Sequence, residues 1–323
     1  MGVRKRISRR SESFILTVGI LVIAAVVGFG GTLGYFKLKD PNFGSTNTTS
    51  SADDATNELE EIDESNDDIS AEEPEVLAVD FQPVIDNWIK TVGGNKSVLI
   101  YDLNLDEIVG SYNTGENYNT ASLYKLFVVY EGYKRVQSGV WNGEARAGST
   151  GYTINKCLDL AIRESYSPCA ETLWTMIGYS TLDNIISKEW KITNSNISKL
   201  ISNPNDIMLI MKRFYEHPDF DNETLLALMW DSFLNQPATD YEWRQGLPSG
   251  FSKAEVYDKV GWAYNADGRY WDIYHDAAIV KFPIEDKKTR DYIVVVMTNK
   301  VDCKNIRKLG GELENKFYEE IKI

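Results

Sequence analysis

Residues 14–36 carry no charged side chain, and this run of 23 residues constrains the rest of the chain more than any other feature. A helix that rises about 1.5 Å per residue is long enough, over this length, to cross the hydrocarbon core of a bilayer. Five Arg or Lys side chains lie within residues 1–13, whereas only Lys37 and Lys39 follow the run closely. This asymmetry predicts a single-pass transmembrane anchor, with a cytoplasmic basic tail over residues 1–13 and the remaining chain outside the cytoplasm.

A cleaved secretory signal is the alternative interpretation of residues 14–36. The apolar run is long for the central part of a signal peptide, and no clear A-x-A cleavage pattern follows it, so we favour an uncleaved anchor. Both interpretations place the folded part of the protein on the extracytoplasmic side of the cell membrane.

Residues 40–80 hold 14 acidic side chains, no Lys or Arg, and almost no aromatic residues. A segment of this composition cannot bury enough apolar surface to offset the loss of chain entropy on folding. We therefore predict a disordered acidic linker over residues 37–80, which holds the following domain away from the membrane. Residues 81–323 have the composition of a globular domain, and we expect this domain to be monomeric.

The net charge of −14 lies mainly in this linker, and the globular part has no run of basic residues. Nucleic-acid binding is not expected, because it depends on clustered Lys and Arg. The chain contains two histidines, His217 and His275. This excludes a multi-histidine metal site, and we expect neither a metal nor a cofactor. We assign His275 to packing or to a hydrogen bond with Asp276.

The elements predicted within residues 81–323 indicate one α+β domain. Apolar alternation predicts strands over residues 97–102, 107–112, 256–264, 269–281 and 292–298. Helical periodicity is found over residues 81–92, 122–137, 155–163, 169–188, 204–216, 222–235 and from about 304 onward. Strands from both chain ends would therefore form one antiparallel sheet, packed against a helical subdomain.

Ser122 and Lys125 form an S-x-x-K pattern at the start of an apolar predicted helix. Side chains three residues apart lie on the same helical face, and the positive end of the helix dipole favours an alkoxide at Ser122. Lys125 could take the serine proton only as an uncharged amine, which requires burial or a nearby cation. Because the pattern is short, an ordinary serine and lysine in a helix is the alternative.

Two later segments strengthen the functional interpretation. Ser165-Tyr166-Ser167 precedes the sequence PCAETL, and Lys259-Val260-Gly261 follows RQGLPSG within a predicted strand. Together with TASLYKL, these segments resemble the penicillin-recognising serine enzymes, most closely the class A β-lactamases, whose motifs are S-x-x-K, S-D-N and K-T-G. The resemblance covers about residues 82–323 and implies the β-lactamase/transpeptidase-like fold.

The resemblance implies a role for each matching residue. Ser122 would be the acylated nucleophile and Lys125 its general base. Ser165 would pass a proton to the leaving nitrogen, and Lys259 would supply positive potential. The backbone N–H groups of Ser122 and Trp262 would form the oxyanion hole. A pair of lysines can activate serine at neutral pH without a histidine.

Two departures affect the expected substrate-binding residues, which are Ser167, Val260, Gly261 and Trp262. Tyr166 and Ser167 stand where the family has Asp and Asn, so a hydrogen bond to a substrate amide is either lost or mediated by water. Val260 replaces the hydroxyl residue of K-T-G, which would help to hold a substrate carboxylate. We therefore expect weaker recognition of a penicillin or D-Ala carboxylate.

A third departure concerns the segment between Ser167 and Asp206, which lacks the E-x-x-L-N pattern that positions the deacylating water in the family. Its acidic residues are Glu171, Asp183 and Glu189, and the sequence E-W-K-I at Glu189 is only a distant echo of the pattern. Without such a glutamate, we expect slow hydrolysis of the acyl-enzyme.

Cys157 and Cys169 flank Ser165 on two successive predicted helices. Sequences of the resembling family often carry a cysteine pair here. We therefore favour a disulfide that pins the Ser165 turn over the alternative of two buried thiols. Cys303 would be left single.

These predictions converge on a membrane-anchored extracytoplasmic serine hydrolase. It would acylate Ser122 with a β-lactam or a cell-wall peptide amide and release the product slowly. Two alternatives remain open at this point: a D-Ala-D-Ala carboxypeptidase that acts on peptidoglycan, and a catalytically weakened module that binds the cell wall.

Overall fold

A computed structural model of the chain describes residues 78–236, 244–263 and 273–321. The predicted tail and anchor, almost all of the predicted linker, and the residues 264–272 between and at the ends of two predicted strands lie outside these ranges. Within them, no helix combines the length and the apolar character needed to span a membrane.

The strands of the described residues are β1 (Asn95–Asp102), β2 (Glu107–Tyr112), β3 (Tyr118–Asn119), β4 (Ile201–Ser202), β5 (Glu255–Ala263), β6 (Ile273–Pro283) and β7 (Thr289–Asn299). Five of them form one antiparallel sheet in the order β2-β1-β7-β6-β5. Ile100 of β1 lies opposite Val294 of β7, so the two ends of the domain meet at the centre of the sheet. This arrangement confirms the predicted α+β fold.

The helices of the described residues are α1 (Gln82–Thr91), α2 (Tyr124–Gln137), α3 (Ile154–Arg163), α4 (Ser167–Ile177), α5 (Tyr179–Asn184), α6 (Pro204–Glu216), α7 (Glu223–Leu234) and α8 (Cys303–Ile321). The central helix of the α2–α7 block is α2, whose residues 124–133 are all buried. This burial explains why its sequence is apolar on most sides and lacks a clear polar face.

The sheet separates two hydrophobic cores, because alternate residues of a strand face opposite sides. Val294 of β7 packs into the core that includes α1 and α8. Its neighbour Val295 packs into the core formed with the α2–α7 block. Because both faces are covered, β7 is buried over nearly its whole length.

The single helix predicted over residues 169–188 is wrong in its extent. The structure has α4 and α5 in this segment, separated by Gly178, followed by a short π-helical turn at Ile185–Glu189. Gly178 has a φ of 93°, a conformation that glycine adopts without the steric cost of a side chain. This glycine ends α4 and redirects the chain into α5.

A two-stranded pairing between β3 and β4 was not predicted. Tyr118 lies opposite Ser202, and Asn119 lies opposite Ile201. Two-residue strands leave no periodic pattern in the sequence, so only the folded chain reveals them. The pairing holds the segment before Ser122 against a distant part of the chain.

Candidate active site

Lys125 lies at the centre of the candidate site, and its side chain is fully buried. Its Nζ is 3.1 Å from each of three hydroxyl oxygens, those of Ser122, Ser165 and Ser167. It also donates to the backbone carbonyl of Ser165. The structure therefore brings together three serines that the sequence places as much as 45 residues apart.

Ser122 lies in a 3₁₀ turn, Ala121–Leu123, immediately before α2 and not within the α-helix itself. Ala121 has a positive φ of 43°, which is unusual for a residue with a side chain. Its N–H donates to Asn119 Oδ1 at 2.9 Å, and the N–H of Thr120 donates to the carbonyl of Leu200 at 2.8 Å. These contacts hold the turn from both sides and leave Ser122 partly exposed.

Ser165 occupies the turn between α3 and α4, and it also has a positive φ, of 51°. The N–H of Tyr166 donates to the carbonyl of Leu160 at 3.0 Å, which closes the turn over the end of α3. Cys157 and Cys169 are joined by a disulfide across this turn, with their Cα atoms 4.9 Å apart. The bond ties α3 to α4 on either side of Ser165.

Lys259 reaches the same serine from the edge strand β5. Its Nζ lies 3.0 Å from Ser165 Oγ and 2.7 Å from the carbonyl of Val260, and the side chain is buried. Ser165 Oγ is thus within hydrogen-bond distance of two amines, those of Lys125 and Lys259. A hydroxyl in this position can accept a proton from one amine and donate one to the other.

Gly261 allows β5 to approach the Ser122 turn. A Cβ at this position would lie 2.7 Å from the carbonyl oxygen of Thr120 and 2.8 Å from Cγ of Leu123. Only glycine fits without displacing one of these groups. The absence of a side chain at Gly261 therefore sets the distance between the strand that carries Lys259 and the turn that carries Ser122.

The sequence profile of the β-lactamase enzyme family matches residues 80–320, which include every group described above. The chain belongs to the β-lactamase family. Comparison with curated protein sequences gave no match.

Solved structures of class A β-lactamases share this fold. The enzyme of the last common ancestor of Gram-negative bacteria is 14% identical, with a TM-score of 0.61, over 72% of this chain and 97% of that one. The β-lactamase from Streptosporangium roseum is also 14% identical, with a TM-score of 0.61, over 73% and 97%. A class A enzyme from Bacteroides cellulosilyticus is 13% identical, with a TM-score of 0.58, over 73% and 96%. At these identities the likeness establishes the fold.

The two lysines of this β-lactamase-family site have unusual electrostatics. Burial lowers the pKa of Lys125 to about 8, against the opposing effect of the Glu171 carboxylate. Burial, together with the charge of Lys125, lowers the pKa of Lys259 well below its usual value. Both lysines lose water and repel each other when charged, so the pair sheds a proton more readily than two exposed lysines.

The side chain of Val260 is buried within the sheet, and its expected role in substrate binding remains a prediction. Val260 lies opposite Asp276 in the β5–β6 pairing, and its side chain is 1% exposed. Strand alternation places this side chain on the sheet face opposite that of Lys259. The carbonyl oxygen of Val260 accepts from Lys259.

Two further predicted substrate contacts occupy different surroundings. Ser167 begins α4 and is exposed, and its hydroxyl oxygen lies 3.1 Å from Lys125 Nζ. Trp262 is half-buried at the end of β5, with its ring 5.5 Å from that of Tyr274. Its position next to Gly261 keeps its backbone close to the Ser122 turn. The oxyanion hole from the N–H groups of Ser122 and Trp262 remains a prediction.

His275 has a positioning role that the sequence did not reveal. The N–H of Thr298 donates to its Nδ1 at 2.9 Å, so Nε2 carries the proton and donates to the carbonyl of Asn119 at 2.8 Å. Burial lowers the pKa of His275 to about 4, which keeps the ring neutral. Of the two expected roles, packing is confirmed, because the ring is buried against Tyr118. The hydrogen bond to Asp276 is wrong, because consecutive residues of β6 face opposite sides of the sheet. His275 instead supports the segment that precedes Ser122.

Two buried carboxylates, Asp258 and Asp276, were also missed. They lie on the sheet face opposite that of Lys259, and burial raises the pKa of both. The N–H of Leu247 donates to Asp276 Oδ2 at 2.8 Å, and Arg244 lies 3.5 Å from Asp258 Oδ1. When ionised, the two carboxylates favour the protonated form of Lys259. The sequence offered one hint of these carboxylates, since Asp258 directly precedes Lys259 and Asp276 directly follows His275.

Two acids of the segment that lacks E-x-x-L-N have structural partners. Asp183 Oδ1 accepts from the N–H groups of Ile197 and Ser198 at 2.9 and 3.2 Å. Glu189 ends the π-helical turn, and its carboxylate lies 3.3 Å from Lys134 Nζ. Glu189, the residue whose sequence distantly resembles the family pattern, therefore forms an ion pair with Lys134 at the surface.

Proposed function

We propose that this protein is a serine hydrolase that forms a covalent acyl-enzyme at Ser122. The observation that carries the proposal is the 3.1 Å distance between Ser122 Oγ and the Nζ of a fully buried lysine, Lys125. Burial favours the uncharged amine, and only the uncharged amine can accept the hydroxyl proton.

The proposed acylation step uses the four side chains that meet in the site. Lys125 takes the proton of Ser122 as its Oγ attacks the substrate carbonyl carbon. Ser165 then donates a proton to the leaving nitrogen and regains one from Lys125 or Lys259, since both amines lie within hydrogen-bond distance. The N–H groups of Ser122 and Trp262 would stabilise the oxyanion, at about 3–4 kcal/mol per donor.

The proposed substrate class is a β-lactam or a cell-wall peptide amide. The structural relatives are described as β-lactamases, and the four-residue constellation is compatible with either amide. Val260 offers no hydroxyl to a substrate carboxylate, which weakens binding. Separately, the chain lacks the E-x-x-L-N pattern that positions the deacylating water in the family. We therefore propose slow deacylation.

A D-Ala-D-Ala carboxypeptidase is the second candidate. The missing E-x-x-L-N pattern argues against an efficient β-lactamase, whereas the acylating set of Ser122, Lys125, Ser165 and Lys259 is complete. Release of D-alanine from a muropeptide pentapeptide by the full-length protein, without steady hydrolysis of nitrocefin, would favour the carboxypeptidase.

The proposed cellular arrangement follows from the sequence. Residues 1–13 would be cytoplasmic, residues 14–36 would anchor the protein in the cell membrane, and residues 37–80 would form the linker to the domain at 81–323. Protease protection of an N-terminal tag in sealed cells, together with cleavage of a C-terminal tag, would support this orientation. The opposite pattern would contradict it.

Covalent labelling tests the proposed chemistry. The full-length protein in detergent should be labelled by a fluorescent penicillin, or by a fluorophosphonate if it does not recognise the β-lactam. Ser122→Ala should abolish the label, whereas Ser249→Ala, a serine of the Pro248–Gly250 turn, should retain it. Equal labelling of wild type and Ser122→Ala would remove Ser122 as the nucleophile.

A further inference from the structure

Asp206 is a buried acid in the first turn of α6, outside the four-residue set that carries the proposed chemistry. Its side chain is 1% exposed. Its own N–H donates to the side chain of Asn203, which caps the helix, at 3.0 Å. An acid at the third position of a helix can return a hydrogen bond to the capping residue. The Asp206 carboxylate instead reaches residues that lie more than ten positions earlier in the chain.

Three donors from Asn194 and Ser195 converge on this carboxylate. Asp206 Oδ2 accepts from the N–H of Asn194 and from the hydroxyl of Ser195, both at 2.8 Å. Oδ1 accepts from the side-chain amide of Asn194 at 3.1 Å. The Oγ atoms of Ser195 and Ser202 are also 2.7 Å apart. Because a carboxylate accepts several hydrogen bonds at once, Asp206 ties together both ends of residues 194–202.

Residues 194–202 form a compact loop. Two backbone hydrogen bonds, of 2.9 and 3.0 Å, join Asn196 and Ile201 in both directions. A second acid, Asp183, accepts from two backbone N–H groups of the short turn at Ile197–Lys199. Carboxylates therefore hold this loop at two places.

The loop contacts the segment that carries the nucleophile. The carbonyl of Leu200 accepts from the N–H of Thr120 at 2.8 Å, and Thr120 is fully buried two residues before Ser122. Leu200 has a left-handed backbone conformation, with a φ of 55°. A residue with a side chain keeps such a conformation only where its surroundings impose it. The direction of the Leu200 carbonyl therefore depends on the hydrogen bonds that hold the loop.

We propose that Asp206 is a positioning residue for the acylation step, an inference that rests on the acyl-enzyme proposed above. Its carboxylate holds residues 194–202 in the shape that presents the Leu200 carbonyl to the Ser122 turn. That contact helps to keep Ser122 Oγ at 3.1 Å from Lys125 Nζ. Since acylation depends on the geometry of attack, a displacement of the nucleophile by about 1 Å can slow it by about 100-fold.

Labelling kinetics of the full-length protein separate positioning from substrate binding. The probe is the fluorescent penicillin, or the fluorophosphonate where penicillin gives no adduct. Asp206→Ala removes all three hydrogen bonds to Asn194 and Ser195. We expect its maximal labelling rate to fall at least about tenfold, while the half-saturating probe concentration stays within about twofold of wild type.

Ser195→Ala is a milder variant that keeps the test independent of whether Asp206→Ala folds. It removes one of the three donors to the carboxylate and the contact with Ser202. The maximal labelling rate should fall by a smaller factor, again with little change in the half-saturating concentration.

Glu314→Ala is the matched control. Glu314 is another buried carboxylate that shapes a loop, since it accepts from the N–H groups of Ser252, Lys253 and Ala254. It lies in α8, which packs into the core on the other face of the sheet from α2. Its loss should lower stability and leave the maximal labelling rate within about twofold of wild type.

Hydrogen exchange of residues 118–123 gives a readout that needs no labelling. The N–H of Thr120 would lose its fixed acceptor in Asp206→Ala, so exchange of this segment should be faster than in wild type. Glu314→Ala should exchange like wild type in the same segment.

Three results would overturn the assignment. The first is a wild-type maximal rate in both Asp206→Ala and Ser195→Ala. The second is an equal loss of rate in Glu314→Ala, which would indicate general destabilisation. The third is a change confined to the half-saturating concentration, which would place the effect on binding. A wild-type protein that forms no adduct at Ser122 is a different outcome. It would refute the proposed acyl-enzyme and the effect of Asp206 on acylation, while the exchange data would still show whether Asp206 holds the turn.

Discussion

The Nζ of Lys259 lies 3.0 Å from the Oγ of Ser165, although the two residues are 94 positions apart in the chain. This contact joins the edge of the sheet to a turn of the helical block. It places a second amine beside the hydroxyl that also contacts Lys125. The candidate site therefore depends on how the sheet packs against the helical block.

Acylation should depend on the protonation of Lys125. Burial lowers the pKa of this amine to about 8, so it is mostly protonated and inactive as a base at lower pH. We expect the labelling rate of Ser122 to rise about tenfold per pH unit below pH 8 and to level off above it. Lys125→Met should reduce labelling at least about 100-fold at every pH. A labelling rate independent of pH between about 6 and 9 would contradict this role.

Gly261→Ala should disturb the site without altering any chemical group in it. Its Cβ would come within 2.7 Å of the Thr120 carbonyl oxygen, which must move with the Ser122 turn. We expect a loss of about 1–3 kcal/mol in the free energy of unfolding and a slower labelling rate. Gly115→Ala is the matched control, since a Cβ there would meet nothing within 4 Å. Equal labelling rates for the two variants would show that the close approach is unimportant.

His275 should make the stability of the domain sensitive to mildly acidic pH. Its pKa is about 4 in the folded protein, below the usual value of 6.5, because the ring is buried. The stability contributed by the neutral ring is complete above pH 6.5 and is lost as the pH falls through 4, by roughly 3 kcal/mol in total. His275→Gln removes this component.

Urea unfolding at several pH values between about 4 and 7 measures the effect of His275. The free energy of unfolding of His275→Gln should vary less with pH than that of wild type. His217→Asn is the control, because His217 ends α6 in a left-handed conformation that asparagine also adopts. If both variants kept the wild-type pH dependence, His275 would not be its source.

Removal of the disulfide should destabilise the turn at Ser165. The bond joins Cys157 to Cys169 across 12 residues, and closing a loop of this size contributes about 2–4 kcal/mol. We expect Cys157→Ser combined with Cys169→Ser to lower the thermal unfolding temperature and the labelling rate under oxidising conditions. Dithiothreitol should affect wild type in the same way and leave the double variant unchanged. Cys303→Ser, which alters the free cysteine, should resemble wild type.

Local patterns predicted most of the secondary structure. Helical periodicity located α2, α3, α6 and α7, and apolar alternation located β1, β2 and β7, because each element buries a face with its own repeat. The errors occur where the decisive feature is not periodic. Gly178 divides one apolar stretch into two helices, and β3 and β4 are too short to leave a pattern.

For the candidate site, too, the sequence predicted some features and not others. Ser122, Lys125, Ser165 and Lys259 were identified from motifs whose order and spacing are visible along the chain. Their mutual distances were not visible, and neither was the orientation of Val260, which depends on the register of β5 and β6. A one-residue shift of that register would reverse which side chains face the site.

By itself, the sequence determined the fold class, the family and the four polar residues of the site, because these are encoded in composition, periodicity and local motifs. Only the tertiary structure decided that Lys125 is fully buried and that His275 supports the segment that precedes Ser122. The reason is physical: burial and electrostatic interaction depend on distances between segments that are remote in sequence, and packing alone sets those distances.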